Sequence, residues 1–231
     1  MITANQFTTA HSSFWEQCFP ALEGYVRLVN SGAYERYFEE LSWGVDPSRS
    51  ALLSELAFCL AKSGEVDSAD SQAVATINAR KRLSQLPGVT LTDDPCSDVE
   101  MAAAVELANR ILIILRTLGR RVGEPIFDPE FPGCGILRKS HGDILVGDTL
   151  VEIKSVERGF RSTDFRQLIT YALQDGSAGS SGISRVCLAN PRKGILHFAS
   201  LDQIVFDTSA CSLIDIFGKF NAAVGSRGIS R

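Results

Sequence analysis

The chain has 231 residues, of which 45% are hydrophobic, and its formal net charge is −4 at pH 7. That length supports one domain with a sizeable core, or a core domain with a smaller helical region. The acidic balance argues against a general polyanion binder that acts through bulk charge.

Two further features concern where the protein works. The longest apolar run, residues 111–115, is too short to span a bilayer, and residues 1–17 lack the apolar core of a signal peptide. The six cysteines form no CxxC pair and no cysteine–histidine cluster at zinc spacing. We therefore expect a reduced, soluble, cytoplasmic protein with no membrane partner.

The first part of the chain is predicted to be helical. Apolar residues recur at three- and four-residue spacing in residues 15–32 and 33–44, and residues 50–64 end in a glycine that suits a helix C-terminus. The stretch LPGVTLTDDP, residues 86–95, breaks this pattern with two prolines and a glycine. We assign residues 1–92 to a helical N-terminal region.

A longer helix is predicted next. Ser97 and Glu100 form the S-x-x-E pattern of a capping box, and the apolar residues that follow run to Gly119. The second half of this helix is apolar on nearly all sides, which indicates that it is buried. Glu106 lies in its middle.

From residue 124 the pattern changes to strands and helices. An extended stretch rich in proline and glycine precedes a hairpin at residues 141–155, a helix, two further strands and a closing helix. This order predicts an α/β fold with a mixed central β-sheet flanked by helices. We assign residues 93–224 to this domain and residues 225–231 to a frayed tail.

The hairpin HGDILVGDTLVEIKS carries charges on strands that are otherwise apolar. Gly147 and Asp148 suit a two-residue type II′ turn, in which glycine takes the first central position. The register that follows from this turn places Asp143 opposite Glu152. Opposed residues share a face of the sheet, and alternation along the strand adds Lys154 to that face.

These three charged residues suit the hydrolysis of a phosphodiester. Two opposed carboxylates repel each other, and a divalent cation between them removes the repulsion. Mg²⁺ or Mn²⁺ fits such oxygen ligands and completes its shell with water and phosphate oxygens. The lysine can orient an attacking water, help to deprotonate it, or stabilise charge on the phosphate. The alternative is a solvated hairpin face with an ordinary Glu–Lys surface pair.

The pattern D-x8-E-x-K, from Asp143 through Glu152 to Lys154, resembles the signature of the PD-(D/E)XK nuclease superfamily. The resemblance implies a core in which these residues lie on adjacent strands of a mixed sheet. It also implies that Asp143, Glu152 and the Ile153 carbonyl bind the metal ion, and that Lys154 is the catalytic lysine. Gly142 stands where the family has a proline, a form similar to the RecB-like branch.

The helix after the hairpin adds a second motif. Gln167 and Tyr171 are four residues apart and therefore share a helix face. Q-x-x-x-Y in this place resembles the third motif of RecB-like nucleases. The resemblance implies that both residues border the active site and position the catalytic lysine or the substrate strand. This helix is predicted to begin with Ser162 or Thr163 as its N-cap.

Two further predictions concern residues outside these motifs. Residues 104–119 loosely resemble the first helix of archaeal Holliday-junction resolvases, which implies that Glu106 is an additional metal ligand. Arg158, Arg161 and Arg166 follow the hairpin closely and are predicted to contact nucleic-acid phosphates. The alternative for the three arginines is exposed loop and helix charge.

The sequence thus predicts a Mg²⁺- or Mn²⁺-dependent nuclease, with DNA as the expected substrate; an RNA-cutting enzyme fits the same residues. By analogy with where such folds recur, a restriction or phage-defence system is a natural setting. Residues 1–120 contain 10 Lys/Arg and 15 Asp/Glu, and this acidity favours a protein partner or a homodimer. The alternative function is a non-catalytic subunit that binds nucleic acid or protein within a larger assembly. Such a subunit would have lost an acid or the lysine, and here all three are present.

Overall fold

A computed structural model describes residues 1–42, 44–86, 88, 94–119, 123–179 and 182–225. Within these ranges the chain forms nine α-helices and eight β-strands. The helices are α1 (Ala4–Ala10), α2 (Ser12–Cys18), α3 (Leu22–Asn30), α4 (Ser50–Ser63), α5 (Ala69–Ser84), α6 (Asp98–Gly119), α7 (Ser162–Ser177), α8 (Leu201–Ser209) and α9 (Leu213–Gly225). The strands are β1 (Glu35–Arg36), β2 (Pro125–Phe127), β3 (Glu130–Phe131), β4 (Ser140–His141), β5 (Ile144–Val146), β6 (Thr149–Ile153), β7 (Arg185–Asn190) and β8 (Ile195–Ser200). None of the described helices has both the length and the apolar character needed to cross a membrane.

Six of the described strands form one mixed sheet, in the order β1-β8-β7-β6-β5-β2. β6 and β7 run parallel, and the other neighbouring pairs are antiparallel. Parallel neighbours need a crossover connection, which α7 supplies. β3 and β4 pair separately. The predicted α/β fold with a mixed sheet flanked by helices is therefore confirmed.

The hairpin of β5 and β6 has the predicted register. Ile144 pairs with Val151 on either side of the turn, and Gly147 turns with a φ of +59°. Asp148 is not among the described non-glycine residues with positive φ, which distinguishes a type II′ turn from a type I′ turn.

The sheet separates two hydrophobic cores. On one face, α1–α3 and α7–α9 pack against strand residues that include Leu150 and Leu188. On the other face, α4–α6 pack against strand residues that include Val151 and Cys187. Successive side chains of a strand point to opposite faces, so β6 and β7 each contribute to both cores.

The helices of residues 1–92 lie on both faces of this sheet. The helix predicted at residues 33–44 is wrong, because Glu35 and Arg36 form β1, which extends the sheet by pairing with the edge of β8. In the described part of the chain, the N-terminal helices and the sheet therefore share both cores. The predicted boundary between residues 92 and 93 lies outside the described residues, as do residues 226–231 of the predicted tail.

Capping contacts at the N-termini of α6 and α7 fix where each helix begins. At α6 the predicted capping box is present, with Glu100 N–H donating to Ser97 Oγ and Ser97 N–H donating to Glu100 Oε2. At α7 the predicted N-cap, Ser162 or Thr163, is wrong by at least one residue, because the cap is Arg161. The Arg161 N–H donates a 2.9 Å hydrogen bond to the Asp164 carboxylate, which caps the helix from within its first turn.

Candidate active site

Asp143 and Glu152 lie beside each other at one end of the hairpin. Asp143 directly precedes β5, and Glu152 is the next-to-last residue of β6. The main-chain N–H of Ile153 donates a 2.7 Å hydrogen bond to Asp143 Oδ2. This contact places the Asp143 carboxylate against the strand segment that carries Glu152, so the structure brings the two predicted acids together.

Glu152 is a buried carboxylate with one unsatisfied oxygen. Its side chain is 2% exposed, and its Oε1 accepts a 2.7 Å hydrogen bond from Lys154 Nζ. Its Oε2 has no hydrogen-bond partner among the described residues. A buried charged oxygen without a partner is costly, so its presence requires an explanation such as a bound cation.

Burial and charge repulsion determine the ionisation of the site. Burial raises the pKa of Asp143, and the negative charge of Glu152 raises it further. Burial by itself would lower the pKa of Lys154, but the charges of Glu152 and Asp143 outweigh it and the pKa is raised. Lys154 is therefore an ammonium ion at neutral pH in the metal-free protein, and its single positive charge faces both acids, of which Asp143 has a pKa raised to about 8.

Gln167 and Tyr171 of α7 join this group through Lys154. Gln167 Oε1 accepts a 2.9 Å hydrogen bond from Lys154 Nζ, and Gln167 Nε2 donates a 2.9 Å hydrogen bond to the Tyr171 hydroxyl. Tyr171 is buried and stacks on Phe131, with ring centroids 5.4 Å apart. Burial raises the pKa of Tyr171. The tyrosine thus orients the glutamine, which in turn fixes the lysine head group.

Gly142, which precedes Asp143, leaves no room for a side chain. A Cβ at this position would lie 2.9 Å from Phe131 Cε2 and 3.1 Å from Leu150 Cδ1. Both neighbours are buried, so close packing accounts for a glycine here. Phe131 in turn stacks on Tyr171, so the loop that contains Gly142 packs against the site.

The three predicted phosphate-binding arginines lie in different environments. Arg158 donates two hydrogen bonds to the Asp164 carboxylate, at 2.7 and 3.0 Å. Arg166 points towards the N-terminal helices, where it donates to the Thr8 carbonyl at 3.2 Å. Arg161 is exposed at the start of α7. Arg158 and Arg166 are thus engaged in contacts within the protein, and the contact of all three arginines with nucleic acid stays a prediction.

Glu106 lies on α6 in an ion pair with Arg110. Its carboxylate is 2.8 Å from Arg110 Nε, and its side chain is 49% exposed. Arg110 also donates to the carbonyl oxygens of Glu39 and Pro191. No contact within the described residues joins Glu106 to the acids of the hairpin, and its role as a metal ligand stays a prediction.

Glu55 of α4 is an acidic residue near the site that the sequence analysis did not identify. Its negative charge contributes to the raised pKa of Asp143, and it pairs with Arg82. The Ser54 hydroxyl donates a 3.3 Å hydrogen bond to the Ser155 carbonyl, which holds α4 near the end of β6. A sequence signal was available, because Glu55 is the only charged residue in the apolar stretch from residue 50 to residue 61.

The donor set fits a hard divalent cation with few protein ligands. Among the described residues, no group of three or more His, Cys, Asp or Glu side chains is arranged to hold a metal ion. Mg²⁺ does not need one, since it is commonly bound by one or two carboxylates and keeps several waters. The observation that favours a cation here is that Glu152 Oε2 lacks a partner among the described residues, while Asp143 lies close enough for the charge of Glu152 to raise its pKa.

No protein-family model matches the chain, and neither the curated proteins nor the solved structures contain a significant match. The resemblance to PD-(D/E)XK nucleases therefore depends on the motif residues and on their arrangement in space.

Proposed function

We propose that the protein is a metal-dependent nuclease that hydrolyses phosphodiester bonds of nucleic acid, with DNA as the expected substrate. The observation that carries this proposal is the pair formed by the half-buried Asp143 and the buried Glu152, with one oxygen of Glu152 unpaired among the described residues and Lys154 fixed beside it. Such a pair is costly in an ordinary fold and useful in a site that binds a cation.

The residues that would hold Mg²⁺ or Mn²⁺ are Asp143, Glu152 and the Ile153 carbonyl. Glu106 is a further candidate by resemblance alone, whereas Glu55, whose charge acts on Asp143, pairs with Arg82. When bound, the ion would act as a Lewis acid on the phosphodiester.

Lys154 would act as a hydrogen-bond donor and a positive charge. The charges of Glu152 and Asp143 raise its pKa, so it is an ammonium ion in the metal-free protein. Two of its three N–H groups meet Glu152 and Gln167 among the described residues, and an ammonium has a third to offer to a phosphate oxygen. Tyr171 would act through Gln167 and is a positioning residue.

A panel of substrates and metals tests the proposal. Purified protein is incubated with supercoiled plasmid, single-stranded DNA and RNA, each with Mg²⁺, Mn²⁺ or EDTA. We expect cleavage with either ion and none with EDTA. Glu152→Gln keeps the shape of the side chain and serves as the matched inactive control. Nucleic-acid binding without cleavage under every condition would contradict the proposal and favour the non-catalytic subunit.

A further inference from the structure

Asp128 occupies a strained position next to Asp143. It follows β2 with a φ of +53°, in the left-handed region that residues with side chains seldom adopt. Its main-chain N–H donates a 2.9 Å hydrogen bond to the Asp143 carbonyl oxygen. A strained residue of this kind persists only where the surrounding contacts impose its conformation.

Two cations from the N-terminal helices hold Asp128 in place. Lys62 Nζ of α4 lies 2.6 Å from Asp128 Oδ2, and Arg82 Nη1 of α5 lies 2.8 Å from Oδ1. Burial opposes the ionisation of Asp128, but the hydrogen bonds from Lys62 and Arg82 outweigh it and hold the pKa below its usual value. Arg82 also pairs with Glu55, so the group links both helices to the site.

Asp143 is consequently held at two points. The Ile153 N–H fixes its carboxylate, and the Asp128 N–H fixes its carbonyl oxygen. A shift of the main chain at Asp143 would move its carboxylate relative to Glu152. Sites of this kind are sensitive to such shifts, since a displacement of about 1 Å is enough to impair a functional group.

We propose that Asp128 is a positioning residue for Asp143. Clamped by Lys62 and Arg82, it sets the place of the Asp143 carboxylate relative to Glu152, and with it the affinity of the site for a divalent cation. This inference rests on the proposed function. It also assigns two N-terminal helices a part in the site, which no motif in their sequence indicates.

Asp128→Asn separates the charge of this residue from its conformation. Asparagine tolerates the left-handed region and keeps the shape of the side chain, but it loses the charge that attracts Lys62 and Arg82. Mn²⁺ binding is measured by calorimetric titration without substrate. We expect the Kd for Mn²⁺ to rise about tenfold, as is typical when a residue that supports a metal ligand is changed. The Mg²⁺ concentration for half-maximal cleavage should rise with it.

Two further variants make the result specific. Lys62→Gln removes one of the two cations that contact Asp128 and should also raise the Kd for Mn²⁺. This variant tests the positioning role if Asp128→Asn does not fold. Glu100→Gln is the matched control, because it breaks the ion pair between Arg49 and α6. It should lower Tm without changing the Kd for Mn²⁺.

The outcomes distinguish this inference from the proposed function. Equal Mn²⁺ affinity of the wild type, Asp128→Asn and Lys62→Gln would overturn the positioning role alone. Equal weakening by Glu100→Gln would also overturn it, because the effect would then follow from general loss of stability. A wild-type protein that binds no Mn²⁺ would overturn both.

Discussion

The two oxygens of the Glu152 carboxylate have different surroundings, although both are buried. Oε1 accepts from the Lys154 ammonium, and Oε2 lacks a partner among the described residues. Because the single charge of Lys154 also faces Asp143, the ammonium cannot offset both acids, and burial and the charge of Glu152 raise the pKa of Asp143 to about 8. Functional sites often retain such unfavourable arrangements at a cost in stability.

Asp143→Asn should stabilise the metal-free protein. The amide carries no charge for burial and Glu152 to disfavour, keeps an oxygen for the Ile153 N–H, and has an N–H donor to offer to Glu152. In EDTA we expect Tm to rise by about 2–4 °C, equivalent to roughly 1 kcal/mol. The increase in Tm that Mg²⁺ causes in the wild type should disappear. Thermal melts with EDTA and with Mg²⁺ measure both effects, and a lower Tm of the variant in EDTA would contradict this account.

His197 should make the protein less stable in mild acid. Its Nε2 lies 2.9 Å from the Tyr25 hydroxyl and its Nδ1 lies 3.0 Å from the Ala33 carbonyl, an arrangement that suits the neutral ring. Burial lowers the pKa of His197. The unfolded chain therefore takes up the proton first as pH falls below about 6.5, and the free energy of unfolding decreases. Denaturant titrations between pH 7.5 and 5.5 should show a smaller decrease for His197→Gln than for the wild type.

Tyr25→Phe is the control for the histidine prediction. It removes the hydroxyl that meets His197 but keeps the buried ring. Because burial is the main cause of the lowered pKa, this variant should keep the wild-type decrease in stability. Equal pH dependence of His197→Gln and the wild type would contradict the assignment.

At the scale of residues, the sequence predicts side chains whose places follow from local geometry. The two-residue turn predicts that Asp143 and Glu152 are neighbours, and the helical period predicts that Gln167 and Tyr171 share a face. Asp128 was not predicted, because its contact with Arg82 joins residues 46 positions apart. Local periodicity carries no information about such contacts.

At the scale of elements, the loop between β4 and β5 connects the sheet to α7. Gly142→Ala would place a methyl group 2.9 Å from Phe131, which stacks on Tyr171. Because Phe131 and Leu150 are both buried, neither can move freely. We expect a loss of about 1–3 kcal/mol of stability and slower cleavage, measured by denaturant titration and by rate assays.

Gly218→Ala provides the matched control for this substitution. Gly218 lies in α9, and a methyl group added there would meet no described atom within 4 Å apart from the backbone of its own helix and its chain neighbours. Alanine also favours the helix by up to about 1 kcal/mol relative to glycine. The Gly218→Ala protein should be at least as stable as the wild type, and its cleavage rate should be unchanged. A Gly142→Ala protein as stable as Gly218→Ala would contradict the close packing of the loop.

At the scale of the whole molecule, the N-terminal helices belong to the same packed structure as the sheet. Helical periodicity predicts that these helices exist, but it does not say what their apolar faces cover. In the structure α1–α3 cover one face of the sheet and α4 and α5 the other. The sequence therefore predicts the fold class and the hairpin, whereas the pairing of distant elements depends on tertiary packing.

Phe7→Ala tests whether the N-terminal helices and the sheet unfold together. Phe7 is fully buried, with its ring 5.7 Å from Phe220 of α9 and 5.8 Å from Trp15. Its loss should cost about 3–5 kcal/mol. If unfolding is cooperative, hydrogen exchange at the slowest amides of β6 and β7 should accelerate accordingly. Unchanged exchange in these strands would show that the N-terminal helices are an independent unit. As a control, Leu28→Ala, at an exposed position of α3, should leave hydrogen exchange in β6 and β7 unchanged.

The cleavage rates of three single variants test whether Asp143, Glu152 and Lys154 form an active site. Asp143→Ala, Glu152→Ala and Lys154→Ala are compared with the wild type on the same DNA with Mg²⁺, after circular dichroism has shown that each variant is folded. Each variant should lose activity by at least about 100-fold. Wild-type cleavage by all three folded variants would contradict this prediction.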